Sequence, residues 1–225
     1  VSAALFKSLP FDTLKDFAPI SNIASVTQVL VTAPASQLAS AKDVVARARA
    51  QPGMVPFGSA GSGTTSHLTM ELFTQMSGIS LSHVPYKGSS TSMIDVMAGR
   101  VPLMFDSLPG VLTNVKSGSL RAIAVASAQR DPLLPNVPTV AESGVPGFAT
   151  SGWIGLLAPA RTPPQIVDQL HTAVAKALKS EAVKKRMSEL AFTPIGNSPA
   201  EFQTFLSKEV ALWGGVAAKA GVQKE

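Results

Sequence analysis

Gly58-Ser59-Ala60-Gly61-Ser62-Gly63-Thr64-Thr65-Ser66-His67 decides how this chain is read. The stretch joins a short apolar run, Met54 to Phe57, to an amphipathic helix beginning near His67. Glycines let a backbone approach a ligand closely and adopt positive φ, while the unpaired amides and positive dipole end of the next helix favour a carboxylate or phosphate. The sequence therefore predicts a β-loop-α unit with a small-anion seat at the loop, where geometry rather than a side-chain charge supplies the attraction. Gly63→Val is expected to block a closely approaching ligand while leaving the fold intact.

Three better-known loops each fail on one residue. The spacing from Gly58 to Gly63 fits a nucleotide phosphate loop, but the lysine that should follow is Thr64. A dinucleotide fingerprint starts at Gly61-Ser62-Gly63, yet its third glycine falls on Ser66. A nucleophile elbow needs glycines two residues either side of its serine, and neither Ser59 nor Ser62 has them.

Outward from the loop, strand and helix signals alternate with short Pro-, Gly- and Ser-rich connections, the pattern of α/β units around mainly parallel sheets. Val26 to Thr32 reads as a strand. Ser40, with Asp43 three residues on, opens a helix Ala41 to Ala50. The anion loop leads into a helix Leu68 to Met76 closed by Gly78, then a strand Leu81 to Pro85, a helix Ser90 to Ala98 and a strand Val101 to Phe105. A helix Val111 to Lys116 and a strand Leu120 to Ala126 follow, then a capping box at Thr139 and Glu142 and an apolar run Trp153 to Ala158. Three capped helices complete the chain. Thr162 is the expected N-cap of the first, whose apolar face is Ile166, Val167, Leu170, Val174 and Leu178; Ser180 caps the second, and Ser198 with Glu201 the third.

With 225 residues and 45% hydrophobic composition the chain can bury a substantial core as one large domain or two small ones. The net charge of +5 is scattered and aromatics are only 6%, so the basic character points to solubility and not to nucleic acid. Lys184-Lys185-Arg186 sits opposite Val183, Met187 and Leu190 and reads as a solvated helix face. There is no cysteine, which excludes disulfides, thiolate metal sites and a cysteine nucleophile. No apolar run approaches the length of a membrane span.

The histidines are His67, His83 and His171, and a metal site built on His67 and Glu71 has too few ligands. His67 reads chiefly as a helix-start residue hydrogen-bonded to the loop. Tyr86 and Lys87, followed by Gly88, stand at the end of a strand, where open α/β sheets expose binding loops. They are either a wall of the anion pocket or a surface tyrosine and a solvated lysine. Asp106 either hydrogen-bonds a ligand or caps the following turn. An enzyme acting on a carboxylated or phosphorylated metabolite would have to use Ser59 or Thr64, His67, Lys87 and Asp106.

Five motifs in order resemble one family: Lys15-Asp16-Phe17-Ala18-Pro19-Ile20; the glycine loop with His67-Leu68; His83-Val84-Pro85-Tyr86-Lys87-Gly88; Leu134-Pro135-Asn136-Val137-Pro138-Thr139 with Glu142-Ser143-Gly144; and Trp153-Ile154-Gly155-Leu156-Leu157-Ala158-Pro159. The chain resembles Bug-type solute receptors, the extracytoplasmic substrate-binding proteins of tripartite tricarboxylate transport systems. The resemblance implies an α/β, two-lobed periplasmic binding protein of type II. It places residues 1–28 and 151–225 in a first lobe and 29–150 in a second. It also implies a non-enzymatic, monomeric, periplasmic receptor without cofactor or metal, delivering a di- or tricarboxylate, acidic amino acid or aromatic acid to membrane transporter subunits. Ser59, Ala60, Gly61, Ser62, Gly63, Thr64, Thr65 and His67 would form the carboxylate seat, with Tyr86, Lys87, Gly88 and Asp106 around it. Members normally carry a signal peptide and further β-α elements with a second ligand-gripping loop ahead of the part matched here, so the first lobe is expected to be incomplete. A degraded receptor serving as an interaction module is the remaining alternative.

Overall fold

The computed structural model describes residues 9–222. In chain order the described elements are β1 (Phe17–Val26), β2 (Gln28–Thr32), α1 (Ala41–Ala50), β3 (Pro56–Ser59), α2 (Thr65–Ser77), β4 (Ser82–Pro85) and α3 (Ser89–Met97). There follow β5 (Leu103–Ser107), α4 (Leu108–Lys116), β6 (Arg121–Val125), β7 (Gly152–Pro159), α5 (Pro164–Lys179), α6 (Glu181–Glu189), β8 (Thr193–Pro194) and α7 (Pro199–Lys219). They fall into two compact units: Thr27–Gly152, and the described chain up to Val26 together with that from Trp153 onward.

The continuous unit is built on a five-stranded sheet of order β4-β3-β5-β2-β6. β4, β3 and β5 run parallel, as helical crossovers require, but β2 is antiparallel to both β5 and β6. The sheet is thus mixed where the sequence predicts a mainly parallel one. β2 is buried at every position, and such a run looks the same in either direction. The expected strand Val26 to Thr32 breaks at Thr27, whose hydroxyl donates to Asp131 Oδ2 (2.7 Å) and whose carbonyl accepts from the Leu108 amide (2.8 Å). Strand β1, on the near side of that break, is an addition to the predicted elements.

Packing in this unit centres on Phe73, Phe105 and Phe148, whose ring centroids lie 6.2, 6.3 and 6.4 Å apart in pairs. All three are at most 1% exposed. Each such ring contributes on the order of 2–3 kcal/mol by leaving water. Helix α1 starts as the sequence predicts, with Ser40 Oγ accepting from the Asp43 amide. Thr139 and Glu142 do form their reciprocal bonds, at 2.7 and 3.0 Å, but these close a turn and no helix follows.

The other unit carries a three-stranded sheet of order β7-β1-β8, with β8 antiparallel to β1. Helices α5 and α7 pack against β1. Phe202 and Phe205 of α7 meet the Trp153 ring edge-on, and the indole N–H groups of Trp153 and Trp213 both donate to Glu209 Oε2 at 2.8 Å. The predicted capping box at Ser198 and Glu201 is present. Thr162, by contrast, does not cap α5: Pro163 is the N-cap and the helix starts at Pro164. A residue before proline is biased away from the helical region, and Pro163 is extended at ψ 139°. Ser180 does precede α6, without a capping side-chain bond. No residue of α5 is buried, and Ile166 and Leu170 of its apolar face stay exposed. Lys184 and Arg186 pair with Glu181 and Glu189 on exposed α6, as a solvated face would.

Candidate functional site

The parallel strands β4, β3 and β5 are neighbours, so their C-terminal ends lie side by side, and each leads into a helix: β3 into α2, β4 into α3 and β5 into α4. This is the edge at which open α/β sheets bind ligands. The two longer connections are bonded to one another, Tyr86 N to Ser59 O (3.2 Å) and Gly88 N to Ala60 O (3.1 Å). The Ser89 hydroxyl joins Asp106 Oδ2 to the same assembly. All the candidate residues thus belong to one hydrogen-bonded edge of the continuous unit.

Inside the glycine loop most amides serve the loop itself. Ala60 N donates to Ser66 Oγ (2.9 Å), Gly61 N to Ser59 Oγ (3.1 Å), Gly63 N to His67 Nδ1 (3.0 Å) and Thr64 N to Gly61 O (3.3 Å). The expectation that the Gly61, Gly63 and Thr64 amides face a ligand is corrected here: a half-buried turn has to satisfy its own donors. Gly61 and Gly63 adopt φ 131° and 72°, which explains the residue type as turn geometry. Gly63→Val would therefore strain the backbone as well as crowd a ligand, so it is not the clean probe that the sequence suggests.

What stays open is the start of α2. Helix α2 begins at Thr65, two residues ahead of His67, and its N-cap Thr64 makes no side-chain capping bond. The Thr64 hydroxyl turns back to Gly61 O (2.7 Å). Among the described residues the amides of Ser62, Thr65, Ser66 and His67 have no hydrogen-bond partner. Three of these are the first N–H groups of the helix, where the dipole is positive. Lys87 is exposed and, among the described residues, has no ion-pair partner.

The remaining candidates are engaged within the protein. Tyr86 donates its hydroxyl to Asp95 Oδ2 (2.6 Å), and Asp95 also receives Arg100 Nε at 2.8 Å. That bond raises the Tyr86 pKa and, with Arg100, lowers that of Asp95. Tyr86 is therefore fixed on α3 with its hydroxyl occupied. Asp106 is 7% exposed, and its Oδ1 accepts from the Ser107 amide at 2.7 Å. Burial raises its pKa against the opposing pull of the Ser89 hydroxyl.

Beneath the loop lies a feature that the sequence does not reveal. His67 and His83 stack with centroids 3.7 Å apart and planes 9° from parallel, and Phe57 stacks on His83 at 4.9 Å. His83 Nε2 lies 2.6 Å from Ser59 Oγ. Burial, then the neighbouring His67, pushes the His83 pKa down to about 4, against a weaker opposing effect of Glu71. The register that pairs Phe57 with His83 across β3 and β4 creates this stack, and strand pairing is not written in either segment alone. No group of three His, Asp or Glu among the described residues is placed to hold a metal ion, and no described helix is long and apolar enough to cross a membrane.

Fold and edge together define an α/β protein with an uncapped helix start at the C-terminal edge of its parallel strands. The chain matches the model of the "Tripartite tricarboxylate transporter family receptor" over residues 1–222, and it belongs to that family. Protein BugT of Bordetella pertussis is 35% identical over 223 residues, covering 99% of this chain and 68% of that protein. Among solved structures, R. palustris Rpa4515 with adipate superposes at TM-score 0.85 with 36% identity, covering 99% of this chain and 75% of that one. Periplasmic binding protein BugD superposes at 0.82 with 29% identity, covering 100% and 76%. The family is one of transporter receptors, and BugD is a periplasmic binding protein; the chain has the α/β fold of these neighbours.

Proposed function

We propose that this chain is the carboxylate-binding portion of a periplasmic, non-enzymatic solute receptor that feeds a tripartite tricarboxylate transporter. The observation that carries the reading is the open helix start: the Thr65, Ser66 and His67 amides lack partners among the described residues, and the unpaired Lys87 cation sits on the connection bonded to the same loop. Those amides and the helix dipole suit one carboxylate end, with the Ser62 and Thr65 side chains at the rim. Family membership and the adipate in a relative at 36% identity support a linear dicarboxylate as the first ligand class to try.

Calorimetry with adipate, malate, citrate and aspartate tests the reading. Binding of at least one, weakened about tenfold by Lys87→Ala, is the expected result. Absence of heat with every probe overturns it. The rival reading is an enzyme, and one contact favours it, the 2.6 Å approach of Ser59 Oγ to His83 Nε2. Ser59 is fully buried, however, and an imidazole with a pKa near 4 is a weak base at neutral pH. Mass spectrometry of the ligand after incubation separates the two, since a receptor returns it unchanged.

A further inference from the structure

We propose that His67 and His83 are a stacked positioning pair that sets ligand affinity by fixing the glycine loop from below, without their rings touching the ligand. The inference rests on the receptor reading above and names the side chains that hold its site in shape. Both imidazoles spend one nitrogen on the loop. His67 Nδ1 accepts from Gly63 N (3.0 Å), while His83 Nε2 meets Ser59 Oγ (2.6 Å), which itself accepts from Gly61 N (3.1 Å). The two glycines pinned in this way are the loop residues with positive φ, 131° at Gly61 and 72° at Gly63.

Accepting from Gly63 requires a bare Nδ1, so the proton of neutral His67 is assigned to Nε2, on the side of Glu71 Oε1 at 3.6 Å. His67 is 5% exposed and lies 3.7 Å from His83. Two charged rings at that distance repel, and Glu71 from α2 is the only carboxylate that faces them among the described residues. The low pKa of His83 agrees with a neutral ring at position 83. The open amides of Thr65, Ser66 and His67 come just after Gly63 and Thr64, so a loop released at Gly63 presents them in a scatter of orientations. Ligand binding then has to re-order one or two residues, a loss of roughly tenfold in affinity.

The test uses paired polar replacements that imitate one ring nitrogen each, asparagine for Nδ1 and glutamine for Nε2. Adipate is titrated calorimetrically into the full chain and its variants, with thermal midpoints recorded for each. At position 67, His67→Asn is expected to keep affinity within about threefold while His67→Gln loses about tenfold. At position 83 the order is reversed, His83→Gln retaining and His83→Asn losing. Nitrogen NMR of the imidazoles is expected to show His67 with its proton on Nε2. A residue needed only for folding would not give this crossover, because both replacements at one position remove the same ring. Equal affinities for Asn and Gln at position 67, or a His67 proton on Nδ1, overturns the inference. Wild-type protein that binds none of adipate, malate, citrate and aspartate overturns the receptor reading as well. Wild-type binding of adipate with no crossover overturns this inference alone.

Discussion

At Thr69 in α2 a hydroxyl is completely buried with no hydrogen-bond partner. An unsatisfied buried polar group costs its desolvation, and an apolar group of the same shape removes that cost. Thr69→Val is expected to stabilise the protein by about 1 kcal/mol, read as a higher urea midpoint at unchanged slope. His83 makes the opposite kind of contribution, one that depends on pH. Its folded pKa is depressed to about 4 from an ordinary 6.5, so between those values the unfolded chain binds more protons than the folded one. The stability it contributes is fully present above pH 6.5 and is lost as pH falls towards 4. Urea midpoints should therefore decline from pH 7 to pH 5 more steeply in the wild type than in His83→Gln; equal slopes would refute the assignment. Asp106 was legible as a polar residue at a strand end, but its burial and its bond to Ser89 depend on α3 packing across β5, which the local sequence does not encode.

Helices were most legible where their ends are chemically local. The capping box of α7 closes between Ser198 and Glu201, with Ser198 N donating to Glu201 Oε2 at 2.9 Å and Glu201 N to Ser198 Oγ at 3.3 Å. Such a cap contributes about 1 kcal/mol, so Ser198→Ala should lower stability by that amount, measurable by chemical denaturation and by fraying of the first turn in amide exchange. Strand ends were less legible, because the ladder outlasts the apolar run. β5 continues to Ser107, where Asp106 pairs with Val29 and Ser107 with Gln28, although the hydrophobic signal stops at Phe105. β7 shows a different constraint: a Cβ on Gly155 would enter the Phe202 ring, coming within 2.8 Å of one ring-edge carbon. Gly155→Ala is thus expected to cost about 1–3 kcal/mol through overpacking, seen as a lower thermal midpoint. At the start of α2 the sequence shows a tight turn but not which of its amides stay open. Glycine content signals a tight turn, whereas which of its amides remain unspent is decided by the hydroxyls of Ser59 and Ser66 and the imidazole of His67.

Across the whole chain the alternation of strands and helices identifies an α/β protein, and the order of five loose motifs carries the family resemblance, yet burial is distributed very unevenly among elements of similar helical pattern. From Ser66 to Thr74, α2 is buried at every residue except Glu71, and it packs on β3 and β5. Helix α5 has a clean apolar stripe in sequence but not one buried residue, and α6 has none either. Amphipathicity reports that a face is available for burial; it does not report how much protein lies against it. Local opening should follow burial, because an amide in a helix with few buried contacts is released without breaking the core. Hydrogen exchange followed residue by residue is expected to leave the α2 amides beyond Leu68 protected up to the limit of unfolding of their unit, while α5 and α6 exchange at least about tenfold faster through local opening. Helix α7, anchored by buried Phe202, Leu206, Trp213 and Val216, should fall between them. Equal protection of α2 and α5 would mean that α5 is held by contacts beyond those between the described residues, and the apolar stripe from Ile166 to Leu178 would be the first place to look for them.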